Sequence, residues 1–187
     1  MIPVGYLYKK IELTANLNWF DAGNIKAVYS VSGCVSKNFT DYIPYWKHND
    51  FWFFNTPAVM KEIAASELLD LSDMTLFYYE VHEDEYNDEA HCWEPIQFER
   101  ILPEPPNVIS SQEKRREGFD IVSHSLQSNP ECSPLSCNGL CKEIPVNQHC
   151  LFDSFDEARN ALNCGALTNC EPGPYRIFAV YTVLDFG

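Results

Sequence analysis

Alternation of apolar and polar positions marks six strands along the chain. They fall at "VGYLYKKIEL" (4–13), "IKAVYSVSG" (25–33), "MTLFYYEVH" (74–82), "EPIQFERIL" (94–102), "FDIVSHS" (119–125) and "PYRIFAVYTVL" (174–184). Two further stretches change character part-way. "FWFFNTPAVMKEIAA" (51–65) runs from an aromatic strand through an Asn-Thr stop to Pro57, a residue suited to the first helical position. "CLFDSFDEARNAL" (150–162) does the same through Asp153-Ser154, where Ser154 and Glu157 have the spacing of a capping box. Helices are therefore expected near 57–66 and 155–164. In the last strand Tyr175, Ile177, Ala179 and Tyr181 share one face, and Phe178, Val180 and Leu184 the other. A strand apolar on both faces belongs at the centre of a sheet. The pattern predicts an α+β fold: a mixed, largely antiparallel sheet of about seven or eight strands with two or three short helices.

"ILPEPPNVIS" (101–110) punctuates the middle, because three prolines in four residues suit a stiff, extended connector. It divides the chain into an N-terminal half, 1–102, and a C-terminal half, 103–187, expected to form one compact domain. Aligning Phe54 with Phe152 pairs Asn55 with Asp153, Thr56 with Ser154 and Lys61 with Arg159. Each helix is followed by an aromatic strand, so the halves read as two β-α-β units, related by duplication or by a shared common plan.

Charge alters the picture by its placement. Residues 62–99 hold twelve of the 27 acids and no Lys or Arg; the remaining fifteen acids face all thirteen bases, a net charge of −2 against −14 for the whole chain. Such a field repels nucleic-acid phosphates and anionic lipid and attracts basic protein surfaces. No apolar run approaches the roughly 20 residues needed to cross a bilayer. The start, "MIPVGYLYKK", lacks the basic-then-apolar plan of a signal peptide. The expectation is a cytoplasmic chain whose eight cysteines are thiols.

Four of those cysteines and a histidine lie in "PECSPLSCNGLCKEIPVNQHC" (130–150), inside a stretch without helix or strand period. Ser133-Pro134 reads as a helix start that would put Cys137 and Cys141 on one face. A zinc site drawn from Cys137, Cys141, His149 and Cys150 is opposed by intervals that do not match the C-x2-C knuckle. A thiol nucleophile, Cys132 or Cys137 with His124 or His149 as base, is the other chemical reading. Asp120 shares a strand face with His124 but sits four residues away, with Val122 between them on that face, a poor position from which to orient its ring. Buried packing is the commonest role of a free cysteine.

The acidic stretch "EVHEDEYNDEAHCWE" (80–94) lacks the Gly turn of a calcium loop and has no fixed ligand spacing for His82 and His91. Its acids Glu80, Glu83, Asp84, Glu85, Asp88 and Glu89, with Tyr86 and Trp93 among them, resemble a protein-binding surface. The aromatics of "YIPYWKHNDFWFF" (42–54) are assigned to the core, since base stacking would need a basic groove. No phosphate-binding Gly loop, nucleophile elbow or H-E-x-x-H pair occurs, and no cofactor is expected. The expected function is an acidic protein-binding or immunity-type inhibitor protein that covers a basic surface of a toxin or nucleic-acid enzyme. It would engage neither nucleic acid nor membrane directly. The alternative is a small enzyme or thiol-dependent protein using loop 126–150.

Overall fold

The computed structural model describes residues 1–16, 23–35, 39, 49, 51–97, 113–124 and 130–184. In chain order the elements are β1 (Ile2–Lys9), β2 (Glu12–Leu13), β3 (Ala27–Val28), α1 (Pro57–Glu67), β4 (Thr75–Val81), β5 (Asp84–Asn87), β6 (Cys92–Pro95), β7 (Lys114–Ser123), α2 (Phe155–Asn163) and β8 (Tyr175–Val183). Six strands share one sheet, β2 and β3 form a second, and every pairing among the described residues is antiparallel. The fold is α+β, with eight strands and two α-helices among the described residues. No helix there is long and apolar enough to cross a membrane. The proline-rich connector 101–110 lies outside the described residues.

β8 is the central strand, as its two apolar faces require. β7 lines one edge over its whole length, from Lys114 opposite Val183 to Ser123 opposite Tyr175. β4 pairs with the other edge, and β5 continues beyond it through Tyr86 opposite Tyr175. Alternate residues of β8 enter two cores. Phe178 and Val180 join Phe53, Phe77 and Tyr79, whereas Ile177 and Ala179 join Phe119, Ile121 and Leu162. Fully burying an aromatic or branched apolar side chain contributes about 1.5–3 kcal/mol, so both layers supply substantial stability.

The two halves repeat one another in detail. One transverse row crosses the sheet from Gly5 through Tyr79 and Val180 to Gly118. Both glycines sit at a register shift, with φ of 127° and 148°. A Cβ would stand 2.5 Å from Phe54 O at Gly5 and 2.6 Å from Phe152 O at Gly118, so neither position admits a side chain. The next residues, Tyr6 and Phe119, bridge to Phe54 and Phe152. Each bridge is followed two residues later by the N-cap of a helix. Ser154 and Glu157 complete the reciprocal capping box at α2, and Thr56 accepts from Val59 N at α1.

Elsewhere the predicted strands contract. The segment 25–33 keeps only β3, because the carbonyls beyond it turn to a lysine side chain instead of a neighbouring strand. The helix expected from Ser133 is a single turn, closed by Cys137 N donating to Ser133 O. Asn138 and Gly139 follow, and Gly139 takes φ 71° before a 3-10 turn at 140–142.

Candidate functional site

Two buried, charged side chains on β1 and β7 gather the loops between strands. Lys9, at the end of β1, is only 1% exposed. Its Nζ donates to the carbonyls of Ser30, Val31 and Ser32. Asp120, on β7, is fully buried, accepting from Val31 N (2.8 Å) through Oδ2 and from Ser133 Oγ (2.6 Å) through Oδ1. Burial raises the Asp120 carboxyl to about 6, while the two hydrogen bonds and Lys9 pull it back. The segment that ends in Cys34 and the segment that carries Cys132 and Cys137 are thus tied to one carboxylate.

Residues 131–132 extend the ladder beyond β7. Glu131 N donates to Ser123 O, and Ser123 N to Cys132 O. The turn at 133–137 then folds Cys137 back over Cys132. Cys34, Cys132 and Cys137 meet there, with their sulfurs all within 4.8 Å of one another. Their exposure is graded: Cys132 is buried, Cys137 half-buried and Cys34 exposed. Ser32 Oγ lies 3.6 Å and Ser136 Oγ 3.9 Å from Cys137 Sγ, and Asn138 Oδ1 is 3.7 Å from Cys132 Sγ.

Hydrogen bonds from Cys132 and Cys137, with Ser32 adding a third, hold the Cys34 thiol well below the usual thiol range. Contacts with the other sulfurs and burial push Cys132 up, so the negative charge settles on the exposed member. The Glu131 carbonyl, 3.2 Å from Cys34 Sγ, pulls the other way, since it accepts only from a protonated thiol. Three donors against one acceptor favour the thiolate.

The other sequence-designated residues are distributed elsewhere. Cys141 lies against Cys150, both buried, and the Cys150 thiol donates to Cys141. The drawn zinc set is therefore split, Cys137 joining Cys34 and Cys132 while Cys141 and Cys150 pair. His149 Nε2 is 3.3 Å from Glu117 Oε2, and its ring stacks on Tyr29 at 4.1 Å. His124 is buried with its ring stacked on Phe178 at 5.9 Å. Among the described residues, no histidine nitrogen or carboxylate oxygen joins the three sulfurs at their mutual spacing.

In the acidic hairpin, several acids are engaged internally. Glu80 binds Lys114 (2.7 Å) and accepts from Tyr181 Oη, and Glu85 binds Arg176 (2.7 Å). Asp88 accepts from Gly173 N at 3.0 Å. Tyr86 is buried against Trp93, whose Nε1 donates to Asn163. Asp84 is half-buried, and Glu83 and Glu89 stand exposed.

Cys34 was not among the residues the sequence singled out. It lies about a hundred residues from its partners, just past a segment that reads as a plain strand, so no local spacing reveals it. Compared with protein families, with curated proteins and with solved structures, the chain matches none.

Proposed function

We propose that the chain is a thiol-dependent protein that exchanges electrons with disulfides through Cys34, Cys137 and Cys132. The observation that carries this is the contact of one exposed sulfur with two progressively more buried ones. Such a gradient gives an accessible nucleophile and a sheltered partner to resolve its product. The Cys34 thiolate attacks one sulfur of an incoming disulfide, and the first thiolate leaves. Cys137 then attacks Cys34 of the mixed disulfide, expelling the second thiolate. Two electrons pass from the protein dithiol to the substrate, which departs as two thiols, and a Cys34–Cys137 disulfide remains. Cys132 lies behind both as a thiol donor to whichever sulfur carries the charge.

The acidic hairpin supports a capture surface less strongly. Its exposed acids include Glu83 and Glu89, whereas Glu80, Glu85 and Asp88 have partners within the chain and Tyr86 is buried.

Glutathione disulfide serves as the test substrate, with products followed by mass spectrometry. Wild type should release two glutathiones per protein and end with an internal disulfide. Cys137→Ser should accumulate a mixed disulfide on Cys34. A Cys34→Ser variant that reacts as fast as wild type would overturn the proposal.

A further inference from the structure

We propose that Cys34, Cys132 and Cys137 also bind a zinc ion as three thiolates, leaving its fourth position to solvent on the Cys34 side. This inference rests on the same three sulfurs as the exchange reading but not on any exchange step. Tetrahedral zinc with bonds near 2.3 Å places its sulfurs about 3.8 Å apart. The three sulfurs already lie within 4.8 Å of one another, so closing on the ion takes about 1 Å of side-chain rotation.

Most of the assembly is in place before the ion arrives. The segments carrying the ligands are fixed by Asp120, which holds Val31 N and Ser133 Oγ, and by the Lys9 ammonium on the 30–32 carbonyls. Ligands held by buried contacts lose little freedom on binding. The surroundings also suit thiolates. The Ser32 and Ser136 hydroxyls flank Cys137 Sγ, and the Asn138 amide flanks Cys132 Sγ, ready to donate through its nitrogen after rotating.

Charge selects among thiophilic ions. Three thiolates around a monovalent copper ion would leave two negative charges beside the buried Asp120, whereas a divalent ion leaves one. An all-sulfur donor set excludes magnesium and calcium, which require oxygen. Zinc meets both conditions.

The test titrates the reduced protein with Co2+ and then displaces it with Zn2+. Expected are one equivalent of tetrahedral cobalt with thiolate charge-transfer bands, displacement by zinc, and slower alkylation of Cys34 once zinc is present. Cys34→Ser, Cys132→Ser and Cys137→Ser should each weaken binding by more than the roughly 10- to 100-fold that losing a hydrogen bond to a ligand costs. The Cys141→Ser/Cys150→Ser double variant should bind as wild type. Absence of a saturable one-equivalent band in folded wild type would overturn the site. So would a band that survives Cys34→Ser and disappears in the double variant. Glutathione-disulfide reactivity measured on the metal-free samples separates the two readings. Metal binding without exchange removes only the proposed function, and exchange without metal binding removes only this inference.

Discussion

Asn49 and Asn147 make three equivalent side-chain hydrogen bonds in the two halves of the chain. Asn49 Oδ1 accepts from Phe51 N and Phe53 N, and its Nδ2 donates to Val4 O and also to Asn55 Oδ1. Asn147 Oδ1 accepts from His149 N and Leu151 N, and its Nδ2 donates to Glu117 O. Three residues after each asparagine comes one with positive φ, Trp52 at 65° and Cys150 at 62°. A single side chain thus shapes a loop and ties it to the strand residue before the bulged glycine.

Asn49→Ala and Asn147→Ala should therefore be destabilising to a similar degree. Asn147→Ala removes three side-chain hydrogen bonds, and Asn49→Ala removes the equivalent three and a fourth to Asn55. The shared three have a net cost of about 2–4 kcal/mol at typical values per bond. Urea unfolding of the two variants gives the comparison. A large effect at one site and none at the other would show that the shared geometry does not carry a shared energetic role.

Much of this repeat was legible, and what was legible was local. The Ser154 and Glu157 spacing, the Thr56-Pro57 start and the two-faced pattern of β8 each depend on residues within one turn or one strand. Aligning Phe54 with Phe152 also places Asn49 over Asn147 and Trp52 over Cys150. The asparagine role went unread because its partners include Val4 and Glu117, 45 and 30 residues away. The thiol site divides in the same way. Cys132 and Cys137 stood out by their crowding in one loop. Cys34 reaches them only because buried Asp120 bonds both Val31 and Ser133, a tertiary fact with no sequence period.

The acidic hairpin should separate into two classes under neutralisation. Glu80→Gln and Glu85→Gln each weaken a largely buried ion pair, with Lys114 and Arg176 respectively. Removing a charge from such a pair leaves its partner uncompensated, so both should lower the melting temperature. Glu83→Gln and Glu89→Gln remove exposed charges within an acidic stretch and should leave stability unchanged or slightly raise it. Equal melting temperatures for the two pairs of variants would show that the internal ion pairs contribute nothing beyond the surface charges.

The last prediction concerns acid sensitivity and rests on a titratable difference between the two asparagine loops. Where the first loop has Phe51, the second has His149. Burial lowers the His149 pKa from its ordinary value; Glu117 pulls it up, and Arg115 and Lys26 add to the lowering. The unfolded chain therefore binds more protons at this residue than the folded chain, in the window from the ordinary value of about 6.5 downward. Stability from this group is fully present above that value and is lost as the pH falls through the window to the lowered folded pKa. Asp120 acts with the opposite sign, since its folded value of about 6 is raised by burial, but it is common to wild type and variant and cancels in their difference. His149→Phe installs the side chain used in the equivalent loop and cannot be protonated. It leaves Glu117 without its imidazole partner at every pH, a constant offset above the window. The melting temperature of the variant relative to wild type should thus be flat from about pH 8 to 7 and rise as the pH falls below about 6.5. A difference that stays constant down to about pH 5 would show that His149 titrates alike in the folded and unfolded chains, and would remove burial as the control on its charge.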